Sequence, residues 1–158
     1  FIFSFKNSDG ELISNSDEKF NDKVNLIQIM GSWCPNCLDE SKYLSELSKK
    51  YDEIMIVSIA FEFANSEQKA INNIKKLKNK LKLDHDILIA QYGTSDKADA
   101  VQKLPSLDTL ISYPTLIVVD KNNKVRRVHT GFNGPATGKN YFDFKNEFEG
   151  FLEKLILE

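Results

Sequence analysis

The 158 residues are about one domain's worth of chain, and 41% hydrophobic with 28% charged residues is the balance of a folded globular protein. A net charge of −2 supplies no basic footprint for DNA or RNA. The longest apolar runs, Val24–Met30 and Ile54–Phe61, are too short to cross a bilayer, and two cysteines cannot build a disulfide scaffold.

The opening Phe1-Ile2-Phe3-Ser4-Phe5 alternates apolar and polar residues, and Asn7-Ser8-Asp9-Gly10 supplies turn chemistry before Glu11–Ser14. A small N-terminal β-hairpin is expected. The opening lacks an initiator Met, a basic stretch and an apolar stretch, as expected of the C-terminal part of a longer precursor. Val24–Met30 reads as a strand buried on both faces. Gly31-Ser32-Trp33 breaks that pattern, and Cys34-Pro35 opens a helix to about Lys50, proline being favoured at the first helical position. Glu53–Phe61 predicts a second buried strand. Asn65 followed by Gln68 resembles a capping box, with Ile71, Ile74, Leu77 and Leu81 on one helical face.

Ile87–Ala90 predicts a short strand. Thr94 or Ser95 is a candidate cap for a helix carrying Ala98, Val101 and Leu104, stopped by Pro105. Thr115–Asp120 and Val125–Thr130, joined by a polar turn, predict an antiparallel hairpin. After a loop at Gly131–Pro135, Phe144, Phe148, Phe151, Leu152, Leu155 and Ile156 mark the apolar face of a terminal helix, Lys139–Leu157. No repeat or linker divides the chain, so residues 1–158 are expected to form a single α/β domain.

Cys34 and Cys37 form one C-x-x-C. No second pair completes a zinc site, neither His85 nor His129 has zinc-finger spacing, and Leu38 removes the haem-attachment pattern. A redox pair remains, with a static disulfide or two core cysteines as the plainer alternatives.

The order of strand, C-x-x-C at a helix start, strand, α/β units, proline, hairpin and helix resembles the thioredoxin fold. More closely, Gly31-Ser32-Trp33-Cys34-Pro35-Asn36-Cys37, Glu40 three residues on, and Tyr113-Pro114-Thr115 resemble the TlpA/ResA branch of thiol–disulfide oxidoreductases. The segments Asn65–Ile89 and Val128–Phe132 look like exported Bacteroidetes members of that branch. The resemblance implies a thioredoxin-like three-layer fold, a central mixed sheet flanked by helices, with the N-terminal hairpin and an inserted helical segment. It implies exchange between the dithiol and disulfides of extracytoplasmic client proteins, an upstream thiol reductase as electron donor, and no cofactor, metal or nucleic acid. The expected setting is periplasmic, or facing the periplasm through an anchor upstream of Phe1.

Physical chemistry assigns the same roles. A sulfur at a helix start sits among unpaired N–H groups and the positive end of the helix dipole, which favour the thiolate. Cys34 is therefore the expected nucleophile, and Cys37, one turn on, the resolving thiol. Pro114 resembles the cis-proline of thioredoxin folds, which would leave the Tyr113 backbone free to hold a substrate strand. Trp33 is either an apolar wall beside the sulfurs or a core residue. Gln28 stands where thioredoxins carry a buried aspartate and cannot accept a proton. Glu40 stands at the glutamate of the C-x-x-C-x-x-E pattern, and the resemblance implies an ionised, partly desolvated carboxylate reaching back toward Cys37, whereas its spacing alone reads as a solvated helix residue. Asp39 and Glu62 are weaker alternatives.

Asn36 adds no positive charge, so the expected direction is reduction, at roughly −270 to −220 mV. Three rival readings remain. A peroxiredoxin lacks support because Gly31 stands where its motif needs Thr or Ser. A copper or zinc chaperone would need His129 near the cysteines. The third rival is a redox-active but merely adhesive module of a larger protein. The lysine-rich Lys69–Lys82 reads as a solvated helix face.

Overall fold

The computed structural model describes residues 1–110 and 112–158. Seven strands form one mixed sheet: β1 (Ser4–Asn7), β2 (Leu12–Ser14), β3 (Val24–Met30), β4 (Ile54–Phe61), β5 (Asp86–Gln91), β6 (Thr115–Val119) and β7 (Val125–Thr130). Their spatial order is β2-β1-β5-β4-β3-β6-β7. β3, β4 and β5 are parallel, while β1 joins β5, and β6 joins β3, antiparallel. Four α-helices accompany the sheet: α1 (Pro35–Lys50), α2 (Glu67–Leu81), α3 (Lys97–Lys103) and α4 (Lys139–Leu157). This is the thioredoxin-like α/β architecture.

Period-two alternation along the central strands sorts the core into two layers. Leu26, Ile56, Leu116 and Val118 face α1 and α4, meeting Leu44, Leu47, Phe148 and Leu152. Nearer the cysteines, Met30, Ala60 and Ile87 on that side meet Ile74 and Leu77 of α2. The opposite face carries Ile27, Ile29, Val57, Ile59 and Phe61, covered by Ala100 of α3, by Leu104 just after it and by the N-terminal segment. Each large apolar side chain so buried contributes about 1.5–3 kcal/mol.

Three local expectations are corrected. The hairpin pairs Ser4–Asn7 with Leu12–Ser14, whereas Phe1 and Phe3 precede it and are buried as a plug over the sheet. Ser66, not Asn65, caps α2, because its hydroxyl accepts the Lys69 N–H at 3.2 Å. Asp96, not Thr94 or Ser95, caps α3, its carboxylate accepting from both Ala98 and Asp99. Starting that helix later turns Ala98 outward and buries Ala100 instead. The segment Asn65–Ile89 also brings more than a helix, since β5 completes the parallel core between β4 and β1.

Candidate active site

β3 ends at Met30, and the chain turns through Gly31–Trp33 before α1 begins. Cys34 is the N-cap of that helix and Pro35 its first residue. The Cys37 backbone N–H donates to Cys34 Sγ at 3.2 Å, so the sulfur takes the place of a capping oxygen. Cys34 and Cys37 are joined as a disulfide. Cys34 keeps 5% exposure and Cys37 none, which leaves the first sulfur as the approachable one.

The turn before Cys34 is held from β4. Glu62, 1% exposed, accepts the Ser32 N–H at 2.7 Å and the Ser32 hydroxyl at 2.5 Å. Burial raises the Glu62 pKa, and the two Ser32 hydrogen bonds oppose that rise. The Trp33 indole N–H donates to the Phe61 carbonyl at 2.9 Å. Its ring packs on Phe63 at 4.5 Å and edge-on to Tyr113 at 5.3 Å, and remains 38% exposed. The indole lies over Gly31, where a Cβ would collide with it. Trp33 is thus a partly exposed apolar wall at the rim, anchored through its indole N–H, and not a core residue. The Tyr113–Pro114 peptide is cis, and the Tyr113 carbonyl oxygen lies 3.7 Å from Cys34 Sγ.

A polar layer lies beneath the disulfide, among apolar neighbours. Gln28, fully buried on β3, donates from its amide to the Cys37 carbonyl at 3.1 Å. Its own amide oxygen accepts from Ser41 at 3.1 Å and Ser58 at 2.6 Å. With that hydroxyl hydrogen committed to Gln28, Ser58 is left to accept from His85 Nε2, 3.1 Å away. Burial depresses the His85 pKa to about 4, so the imidazole is neutral at pH 7.

Glu40, in the second turn of α1, is 0% exposed, and neither carboxylate oxygen has a hydrogen-bond partner among the described residues. Burial raises its pKa to about 8, an effect that nearby Gln28 offsets only in part. The ionised, partly desolvated carboxylate expected from the sequence is therefore mostly a neutral acid at pH 7. The cause is complete enclosure between α1 and the sheet.

The structure gathers Trp33, Cys34, Cys37, Tyr113 and Pro114 at the end of β3, with Glu40 one turn deeper. Asp39 packs against Gly134, where an added Cβ would push its carboxylate aside. His129 stacks on Phe144 at 4.7 Å. Sequence reasoning missed Ser58 and His85, and gave Glu62 too little weight. Ser58 had a signal, a hydroxyl at an inward position of the apolar run Ile54–Phe61; His85 had none.

The family model described as Redoxin matches residues 2–143. Among solved structures, a thiol-disulfide isomerase from Corynebacterium glutamicum superposes with a TM-score of 0.71 at 14% identity, covering 100% of this chain and 95% of that one. A thioredoxin-family thiol:disulfide interchange protein from Chlorobium tepidum gives 0.69 at 18%, covering 98% and 93%. A thiol-disulfide oxidoreductase from Bacteroides fragilis gives 0.64 at 20%, covering 91% and 97%. These likenesses establish the fold. Comparison with curated proteins finds no match.

Proposed function

The chain belongs to the Redoxin family, as a thioredoxin-like oxidoreductase, and from that premise we propose that it exchanges its Cys34–Cys37 dithiol with disulfides of client proteins in the reducing direction. The observation that carries this reading is the placement of Cys34 Sγ at the α1 N-cap, taking the Cys37 N–H and facing the Tyr113 carbonyl. In the reduced protein, that N–H and the helix dipole stabilise the Cys34 thiolate. The thiolate attacks a client sulfur, forming a Cys34–client disulfide and releasing the client's other sulfur as a thiolate. Cys37 then gives up its proton and attacks Cys34 Sγ. The second client sulfur leaves, and the Cys34–Cys37 disulfide is restored. An upstream thiol reductase returns two electrons.

Glu40 is the proposed acceptor of the Cys37 proton. Its pKa of about 8 leaves a minority of molecules near pH 7 with the ionised carboxylate that can take this proton, a share that grows as pH rises. Where it is ionised it disfavours thiolates and offsets part of the helix-dipole stabilisation of the reduced pair, which favours donating electrons. The C-x-x-C-x-x-E pattern supports membership of the TlpA/ResA branch. The likeness of Gly31–Cys37 and Val128–Phe132 to exported Bacteroidetes proteins supports extracytoplasmic clients and a periplasmic or membrane-anchored setting. No helix among the described residues is long and apolar enough to cross a membrane. That all seven strands share one sheet supports residues 1–158 acting as one unit.

Turnover of a disulfide-bridged peptide with dithiothreitol as donor tests the roles. Cys34→Ser abolishes turnover, and Cys37→Ser traps a Cys34–peptide adduct that mass spectrometry reads. Iodoacetamide labelling of Cys37 ahead of Cys34 in the reduced protein would reverse the assignment.

A further inference from the structure

The inserted helix α2 lies on the cysteine side of the sheet, its apolar face closed over Cys37, Ala60 and Ile87. Its outer surface carries a one-sided charge. Residues 67–81 hold five lysines against one glutamate, in a chain whose net charge is −2. Lys69, Asn73, Lys76 and Lys80 follow a four-three-four spacing that puts them on one stripe, about 17 Å long. All four are exposed, and none of the three lysines forms an ion pair among the described residues.

The stripe runs beside Trp33, the residue that precedes Cys34. A groove of about 370 Å³ is lined by Ser32, Trp33 and Leu38 on one side and by Asn73, Lys76 and Lys80 on the other. A second, of about 430 Å³, places Phe63 with Lys69, Asn73 and Lys76. Phe63, 57% exposed, packs tilted against Trp33 between the two. An exposed aromatic pair flanked by unneutralised cations is complementary to one kind of chain: apolar at one position and acidic around it.

We propose that the Lys69–Lys76–Lys80 stripe and the Trp33–Phe63 pair form the docking surface for client segments whose disulfide is flanked by an apolar residue and acidic residues. The proposal rests on the oxidoreductase reading above. The stripe steers acidic segments toward the sulfurs, and the aromatic pair seats the apolar side chain so that the client disulfide faces Cys34. A lipid surface fits less well, because a bilayer presents no disulfide to the sulfurs beside Trp33.

Three short disulfide-bridged peptides, alike except for flanking aspartates, serines or lysines, distinguish the outcomes. With dithiothreitol as electron donor, kcat/KM follows acidic over neutral over basic, by about two- to fivefold per lysine engaged and mainly through KM. High salt compresses the series, as the screening length falls from about 10 Å at 0.1 M to about 3 Å at 1 M. Lys76→Glu removes the acidic preference. Lys75→Glu, the same charge change one position away and off the stripe, keeps it. A parallel titration of oxidised protein follows the fluorescence of Trp33, the chain's one tryptophan, and needs no turnover. If no peptide is reduced, the oxidoreductase reading fails, and tighter binding of the acidic peptide in that titration still upholds the surface. Equal rates and equal binding for all three peptides would overturn the surface, as would loss of preference in Lys75→Glu equal to that in Lys76→Glu. Lys76-dependent binding to phosphatidylglycerol vesicles without peptide discrimination would overturn it in favour of a membrane contact.

Discussion

Two buried glutamates flank the disulfide and have opposite surroundings. Glu62, just past the end of β4, has both oxygens engaged by Ser32. Glu40, in α1, has neither oxygen engaged among the described residues. Desolvation raises the pKa of both, yet only at Glu62 do two short hydrogen bonds to the carboxylate oppose it directly. The difference separates a carboxylate that holds structure from one kept available for a proton. Glu62 fixes the turn that aims Cys34. Glu40 contributes nothing to that geometry, and its burial costs stability whenever it ionises.

Removing the engaged carboxylate has the larger effect. Glu62→Ala strands the Ser32 N–H beside a new cavity, and the loss of hydrogen bonds to a charged acceptor gives an expected destabilisation of about 3 kcal/mol. Glu62→Gln, able to accept only one of the two bonds, falls between the variant and wild type. Denaturant unfolding of the oxidised proteins measures both. A Glu62→Ala midpoint equal to wild type would show that Ser32 is held by other contacts and erase the contrast.

Glu40→Gln reverses the sign at alkaline pH. Glu40 titrates near 4.5 in the unfolded chain and about 8 when folded, so between those values the folded protein holds the extra proton. Wild-type stability from this group is full below about 4.5 and is lost as pH rises through 8, with a slope approaching about 1.4 kcal/mol per unit. The variant lacks that slope and overtakes wild type by about 2 kcal/mol near pH 8.5, discounting for relaxation around the charge. His85 works in the opposite sense, its contribution being lost as pH falls from 6.5 through about 4, so measurements from pH 7 upward isolate Glu40. Parallel stability curves for wild type and Glu40→Gln would return Glu40 to the same class as Glu62. The same variant is expected to lower the apparent thiol pKa in alkylation titrations of reduced protein, and superimposable titrations would remove it from the proton path.

Which glutamate was which could not be read from spacing. The family's C-x-x-C-x-x-E pattern drew attention to Glu40, whereas helical spacing alone reads it as a solvated carboxylate. Glu62 meets its partner across 30 residues, at the junction of two strands whose adjacency no local pattern encodes. The buried strands β3 and β4 were legible because they are apolar on both faces. The N-terminus was not, since Phe1, Phe3 and Phe5 alternate as a strand does, and period two does not distinguish a paired strand from a buried plug. The caps of α2 and α3 slipped by one or two residues because Thr94, Ser95 and Asp96, like Asn65 and Ser66, are all competent acceptors, and only the geometry of the turn chooses among them.

The smallest expected effect concerns the amide of Gln28 on β3, beside Glu40. Gln28 holds the Cys37 carbonyl only while its oxygen faces the two hydroxyls of Ser41 and Ser58. Ser58→Ala removes one donor and the partner of His85, for an expected loss of about 1 kcal/mol, and Ser41 still orients the amide. Ser41→Ala is the mirror case. With both replaced, nothing donates to the Gln28 oxygen, the amide is free to rotate, and the grip on Cys37 is lost. The double variant therefore falls below the sum of the singles by about 0.5–1 kcal/mol, and only in it does Cys37 alkylate faster in the reduced protein. Additive losses with unchanged alkylation would mean that Gln28 is held by its packing alone. The hydroxyls would then be ordinary buried polar groups, and the contrast between the two glutamates would owe nothing to the layer beneath them.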